Sequence, residues 1–237
     1  TGVTNNDIMR LFLKKGISIT LLDQKPAEKL GAIYTELQQA GVQFELGPTY
    51  LDHLERYDVV FRAPGMYYNH PKLQEARQNG VVITTEMEVF LEFCPCRCYA
   101  VTGSDGKTTT TTLISEFFQE SGVTVHKGGN IGRALLPIIE TIQENDVAVV
   151  ELSSFQLLSM RQSPDVAVIT NIAPNHLDVH GTMEEYIAAK TNIIAHQNAF
   201  SRTVLNLDNA LTKNLSSMVR GTLFYFSRTQ QPKWGTM

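Results

Sequence analysis

The segment Tyr99-Ala-Val-Thr-Gly-Ser-Asp-Gly-Lys-Thr-Thr109 constrains the fold more than any other, because an apolar run passes directly into a glycine turn ending in Lys-Thr. A strand feeding a turn of bare backbone N–H groups, with a helix following at once, aims donors and a positive helix end at an anion. The residue five before Gly106 is Val101 rather than glycine, so the turn is a shortened variant of the usual phosphate-binding pattern. In this reading Gly103, Ser104, Asp105 and Gly106 cradle phosphates, and Lys107 reaches the β- and γ-phosphates. The Thr108 hydroxyl takes a place on Mg²⁺, and Thr109 lies in the first helical turn. The apolar spacing Leu113, Ile114, Phe117, Phe118 predicts the helix. Five consecutive threonines from Thr108 are poor helix formers, so something other than propensity must hold this start.

A chain of 237 residues, 43% apolar, has room for one large core or two modest ones. Its net charge of -4 argues against nucleic acid as the main partner. It contains neither an apolar run long enough to span a membrane nor a basic-then-apolar leader, so a cytoplasmic protein without a membrane partner is expected. Cys94, Cys96 and Cys98 cannot frame a disulfide scaffold and lack the partners of a zinc pattern. They read as reduced thiols at a linker and strand entry.

Along the chain, strands alternate with helices. A helical pattern at Ile8, Leu11 and Phe12 stops at Gly16. Ile17–Leu22 then forms a strand ending at Asp23, where a nucleotide-binding α/β unit meets a ribose or base. A helix over 28–40 and short strands at 42–44, 57–61 and 81–83 complete a small parallel sheet with helices on both faces. A second α/β domain follows, with strands at 97–102, 123–126, 147–151, 166–171, 204–206 and 222–226. Its helices start near Thr108, Ile131 and Met183. The expected fold class is therefore α/β, two consecutive three-layer domains over 1–93 and 94–237. The opening at Thr1 and the featureless end at 233–237 read as a chain cut short at both ends.

Polar residues gather at successive strand ends of the second domain. Glu151 closes the apolar run 147–150, at the sheet edge where open α/β folds bind ligands, and is a candidate for Mg²⁺. Thr170-Asn171 ends the next strand, and Pro174-Asn-His-Leu-Asp178 brings His176 to the same edge, able to complete a vertex among oxygen ligands. Lys190 follows on a helix, where periodicity alone favours an exposed, salt-bridged lysine over a functional one.

In order, Thr102-Gly-Ser-Asp-Gly-Lys-Thr-Thr109, Gly128-Gly-Asn-Ile-Gly132, Glu151-Leu-Ser-Ser-Phe-Gln-Leu157, Asn175-His-Leu-Asp178, Ala188-Ala-Lys190 and Leu205-Asn-Leu-Asp208 resemble the Mur ligase family, most closely its D-glutamate-adding members. Asp105 stands where asparagine is common, and Ala63-Pro-Gly65 replaces Ser-Pro-Gly. The resemblance implies a Rossmann-like UDP-binding domain followed by a P-loop-type ATPase domain, with a third domain beyond this chain. It implies a monomer using ATP and Mg²⁺, with UDP-N-acetylmuramoyl-L-alanine and D-glutamate as substrates. It further implies that Lys107 binds ATP phosphates together with Thr109, that Thr108 and Glu151 serve one magnesium and His176 a second, and that Lys190 is carbamylated and so becomes an anionic ligand or positioning group at the magnesium site, with Lys107, His176 and Lys190 as the catalytic residues. The UDP-substrate would meet Thr1, Asp23, Pro64 and Gly65, with Asn130 and His176 nearer the phosphates. Folylpolyglutamate synthase and other Mur ligases compete with this reading, as does a nonenzymatic nucleotide-binding module.

Overall fold

The computed structural model describes residues 3–63, 65–175 and 180–237, with the backbone alone for 3–6. The chain divides into two compact units, Thr1–Glu86 and Met87–Met237.

In the first unit, α1 (Val3–Lys14) leads to β1 (Thr20–Asp23), α2 (Ala32–Gln39) and β2 (Gln43–Leu46). Then come β3 (Val59–Phe61), α3 (Pro71–Gln78) and β4 (Val82–Thr84). Among the described residues these strands form two separate parallel ladders, β1 with β2 and β3 with β4, rather than the single small sheet expected. A two-strand ladder makes few hydrogen bonds, so each depends on its own apolar cluster. Met9, Leu21, Leu37 and Val42 support the first ladder, and Leu51, Leu54, Leu73, Ala76, Val81 and Ile83 the second. Leu22 packs on the second cluster, and the Phe12 and Phe61 rings meet edge to face at 5.2 Å, so side chains do the joining that a continuous ladder would have done. The helix expected over 28–40 is broken: Ala27–Lys29 forms a 3₁₀ turn, and Gly31, at φ 66°, lets the chain restart as α2.

In the second unit, α4 (Glu86–Phe93) precedes β5 (Arg97–Thr102), α5 (Lys107–Glu120), β6 (Val125–Gly129) and β7 (Val147–Glu151). The chain continues through α6 (Ser154–Leu157), β8 (Val166–Ile169), α7 (Met183–Ala195), β9 (Arg202–Asn206), α8 (Ala210–Asn214), β10 (Thr222–Phe226) and β11 (Gly235–Thr236). Seven strands form one parallel sheet in the order β11-β10-β9-β8-β5-β7-β6. Every residue of β7 and β8 is buried, as continuous apolar runs covered on both faces should be. Each fully buried valine there contributes roughly 1.5–3 kcal/mol. Helices cover both faces: on β5, Tyr99 meets Phe118 of α5 at 4.9 Å, whereas Thr102, of opposite parity along the strand, meets Lys190 of α7.

Two expectations are corrected in this unit. The helix expected from Ile131 is only a 3₁₀ segment, Leu136–Thr141, with Pro137 in its first turn. The end expected to be featureless contributes β11, which pairs with β10 through Tyr225 and Phe226.

Candidate active site

The order reverses at β5. The connection after β5 runs past β7 to the edge strand β6, whereas the one after the neighbouring β8 runs to β9 on the opposite side, opening a crevice at the carboxyl ends of β5 and β8 with β7 alongside. The glycine turn fills that crevice. Gly103 sits at φ 152°, and a Cβ there would lie 1.8 Å from Thr170 Oγ1. Ser104 N–H donates to the Asn171 carbonyl and Asp105 N–H to Asn171 Oδ1, both at 2.9 Å, while Thr170 Oγ1 donates to the Asp105 carbonyl at 2.6 Å. These contacts from the end of β8 are what hold the turn where threonine propensity does not. Gly106, left-handed at φ 78°, then starts α5, whose first-turn N–H groups lack intrahelical acceptors and point out of the turn. Lys107 Nζ donates to the Gly103 and Ser104 carbonyls, both at 2.9 Å, so its ammonium lies over the same turn.

Glu151, 2% exposed, stands at the end of β7. Its Oε2 accepts from Thr108 Oγ1 at 2.6 Å and its Oε1 from Asn130 Nδ2 at 2.8 Å. Asn130 N–H also donates to the Glu151 carbonyl at 2.8 Å. That approach requires Gly129, since a Cβ there would be 2.2 Å from the Glu151 carbonyl oxygen. Three segments far apart in sequence thus converge on one carboxylate. Among the described residues no three His, Cys, Asp or Glu side chains are grouped to hold a metal. One carboxylate and one hydroxyl in contact do fit a hard, small cation that keeps much of its water.

Lys190 is not the exposed lysine that periodicity favoured. It is 1% exposed, its Nζ donating to the Gly103 carbonyl at 2.9 Å and lying 3.4 Å from Thr102 Oγ1 and 4.7 Å from the Tyr186 ring centre. Burial first, and the Lys107 charge second, push its amine down to about 7, with Asp105 opposing. Two lysines therefore share the Gly103 carbonyl. Tyr186 ties α7 to the turn, its hydroxyl 3.0 Å from Ser104 Oγ, and its ring meets buried His180 edge-on at 5.2 Å. His180 Nε2 lies 2.8 Å from Ser154 Oγ, and its ring stacks on Phe155. Sequence reasoning gave no role of their own to Tyr186, His180 or Ser154. Ser154 lies within the string Glu151–Leu157, and the capping box Ser153–Gln156 in that string fixes α6 immediately after Glu151.

The remaining expected residues are spread more widely. Asp23 is buried at the end of β1, with Lys25 N–H donating to its Oδ1 at 2.9 Å. Gly65 is exposed in a turn after β3. Thr109 is exposed on the first turn of α5. Thr1, Pro64 and His176 lie outside the described residues. No helix among the described residues is long and apolar enough to cross a membrane.

Fold and site define the class: an α/β protein of parallel sheets whose polar constellation sits at the carboxyl edge of its central strands. Residues 101–235 match the Mur ligase middle domain, and residues 1–85 match the Mur ligase MurD-like N-terminal domain. The chain belongs to the Mur ligase family. It is 48% identical over 227 residues to the UDP-N-acetylmuramoylalanine–D-glutamate ligase of Ruminiclostridium cellulolyticum, covering 96% of this chain and 49% of that protein. The enzyme of the same name from Acetivibrio thermocellus is 45% identical over 236 residues, 100% of this chain and 51% of that protein. The chain thus spans about half the length of the curated relatives it matches. The crystal structure of the UDP-N-acetylmuramate:L-alanyl-gamma-D-glutamyl-meso-diaminopimelate ligase from Neisseria meningitides superposes with a TM-score of 0.60 at 14% identity. That superposition covers 95% of this chain and 75% of the other, and bears on the fold alone.

Proposed function

We propose that this chain carries the substrate- and ATP-binding parts of an amide ligase that adds D-glutamate to UDP-N-acetylmuramoyl-L-alanine. The 48% identity to a ligase of that name supports the reading. The observation that carries it is the contact of Thr108 with Glu151 at 2.6 Å, beside the turn bearing Lys107. In this reading residues 1–93 form a Rossmann-like domain that holds the UDP end through Thr1, Asp23, Pro64 and Gly65. Residues 94–237 form a P-loop-type ATPase domain, with Asn130 toward the phosphates.

The substrate L-alanyl carboxylate attacks the γ-phosphorus of ATP, ADP leaves, and an acyl phosphate forms. The D-glutamate amine then attacks the acyl carbon, and phosphate departs from the tetrahedral intermediate. In this reading Lys107 and the first-turn N–H groups of α5 neutralise the negative charge that builds on the transferring group, donors already oriented before the step costing no reorganisation during it. Thr108 and Glu151 would hold Mg²⁺, with His176 serving a second; the bound ion supplies charge neutralisation. Lys190, with its amine near neutrality, is suited to take up CO₂ as a carbamate, an anion beside the turn.

The test is ATP-dependent phosphate release by the full-length protein with UDP-N-acetylmuramoyl-L-alanine, comparing D-glutamate with L-glutamate, D-alanine and meso-diaminopimelate. Release that requires D-glutamate is expected. Release with another amino acid moves the chain within the family, and no release with any of them leaves a nucleotide-binding module.

A further inference from the structure

Between the end of α4 and the start of β5, Cys94 and Cys96 flank a single proline, with their sulfurs 3.6 Å apart and Cys94 Sγ also 3.5 Å from the Cys96 carbonyl. A disulfide needs about 2.05 Å between sulfurs, so closure asks for an approach of roughly 1.5 Å. The third thiol is placed differently: Cys98 is 3% exposed inside β5, with its N–H fixed to Asp165 Oδ2 at 2.8 Å. Cys94 is half-buried and open to a reagent, and Cys96 lies beneath it at 6% exposure.

We infer that Cys94 and Cys96 are a reversible disulfide-forming pair, a modification site for peroxide or for a disulfide oxidant at the root of the strand that leads to the glycine turn. Cys94 is the entry thiol and Cys96 the resolving one. The hydrogen bond from the Cys96 thiol favours the Cys94 thiolate, whereas that same bond and burial push Cys96 up, and burial pushes Cys98 up. With peroxide, the Cys94 thiolate attacks one oxygen, the O–O bond breaks and hydroxide leaves, giving a sulfenic acid. The Cys96 sulfur then attacks the Cys94 sulfur and releases water, so that two thiols and one hydrogen peroxide yield one disulfide and two waters. With a disulfide oxidant, the Cys94 thiolate forms a mixed disulfide and Cys96 displaces the second thiol. A ring closed across one intervening residue is tight, so thiol reductants should reopen it readily.

Arg97 makes the test direct, because trypsin cuts between Cys96 and Cys98. The reduced chain is treated with stoichiometric hydrogen peroxide or diamide, blocked with iodoacetamide under denaturing conditions, digested and weighed. The expected result is a peptide 78–97 lighter than its reduced form by about 2 Da and carrying no alkyl group. The peptide beginning at Cys98 should be fully alkylated, and dithiothreitol should restore two alkylation sites to the first. In Cys96→Ser, Cys94 should stop at a sulfenic acid trapped by dimedone, and Cys98→Ser should behave as wild type. Alkylation of both Cys94 and Cys96 after oxidant treatment overturns the inference, as does a cross-link between the two peptides or conversion of Cys94 to a sulfinic acid in the wild-type chain.

Discussion

Two glycines and two lysines decide the geometry of the site. Gly129 has φ 96° and no room for a methyl group against the Glu151 carbonyl. Gly129→Ala should therefore both strain the backbone and displace Asn130, destabilising the chain by about 2–4 kcal/mol in urea unfolding. Lys107→Ala should leave the urea midpoint almost unmoved and lower the chemical step of the full-length protein at least a hundredfold, on the order of 3–4 kcal/mol. A rate within threefold of wild type would sink its assigned role. Lys190 carries a pH signature. Its amine falls from the ordinary 10.5 to about 7 on folding, so between those values the unfolded chain binds a proton that the folded chain does not. Stability then rises with pH through that window, and the burial penalty is complete below it. Lys190→Met should be more stable than wild type near pH 6 in CO₂-free buffer, with the advantage shrinking by about pH 9. Lys107, Thr108 and Glu151 were legible in the sequence because each closes or follows a strong strand pattern. The burial of Lys190 was not, because helical spacing does not show which side of α7 meets the turn.

At the scale of elements, α5 shows how tertiary packing overrides a pattern. The apolar residues expected to face the core do so only in part: Phe117 is 71% exposed and Leu113 45%, while Thr111 and Ser115 are buried. The small side chains let α5 lie close to β5 and β7, and Ser115 satisfies its hydroxyl on the Thr111 carbonyl at 2.8 Å. The outer strands depend on a different device. Asp208, after β9, accepts from Ser227 Oγ, Thr229 Oγ1 and Arg228 N–H beyond β10, and these bonds hold its carboxyl down at about 2. Its contribution is present above the ordinary carboxylate value of 3.8 and is lost as pH falls toward 2. Asp208→Asn should loosen residues 227–230, seen as faster amide exchange at Arg228, and should flatten the acid limb of the stability profile. Nothing in the local sequence joined Asp208 to that turn, because the partners meet only once β9 and β10 are paired.

Across the whole molecule the two units are built to different standards. Among the described residues the second unit has seven strands in one parallel sheet, with β7 and β8 buried on both faces, whereas the first unit rests on two short ladders and side-chain clusters. Native-state hydrogen exchange should therefore find the slowest amides in β5, β7 and β8 and markedly faster ones in β1 to β4. Equal protection in both units would overturn that ranking. What the sequence determined by itself was local or periodic: the alternation of strand and helix, the glycine turn after β5, the carboxylate closing β7, and the ordered strings that carry the family likeness. Backbone propensity and buried apolar runs act over a few residues and can be read there. The tertiary structure alone decided that Thr170 and Asn171 hold the turn, that Asn130 reaches Glu151, and that Lys190 lies buried beneath Gly103. Each of those contacts joins residues brought together by strand order, and strand order is settled by packing across the whole sheet.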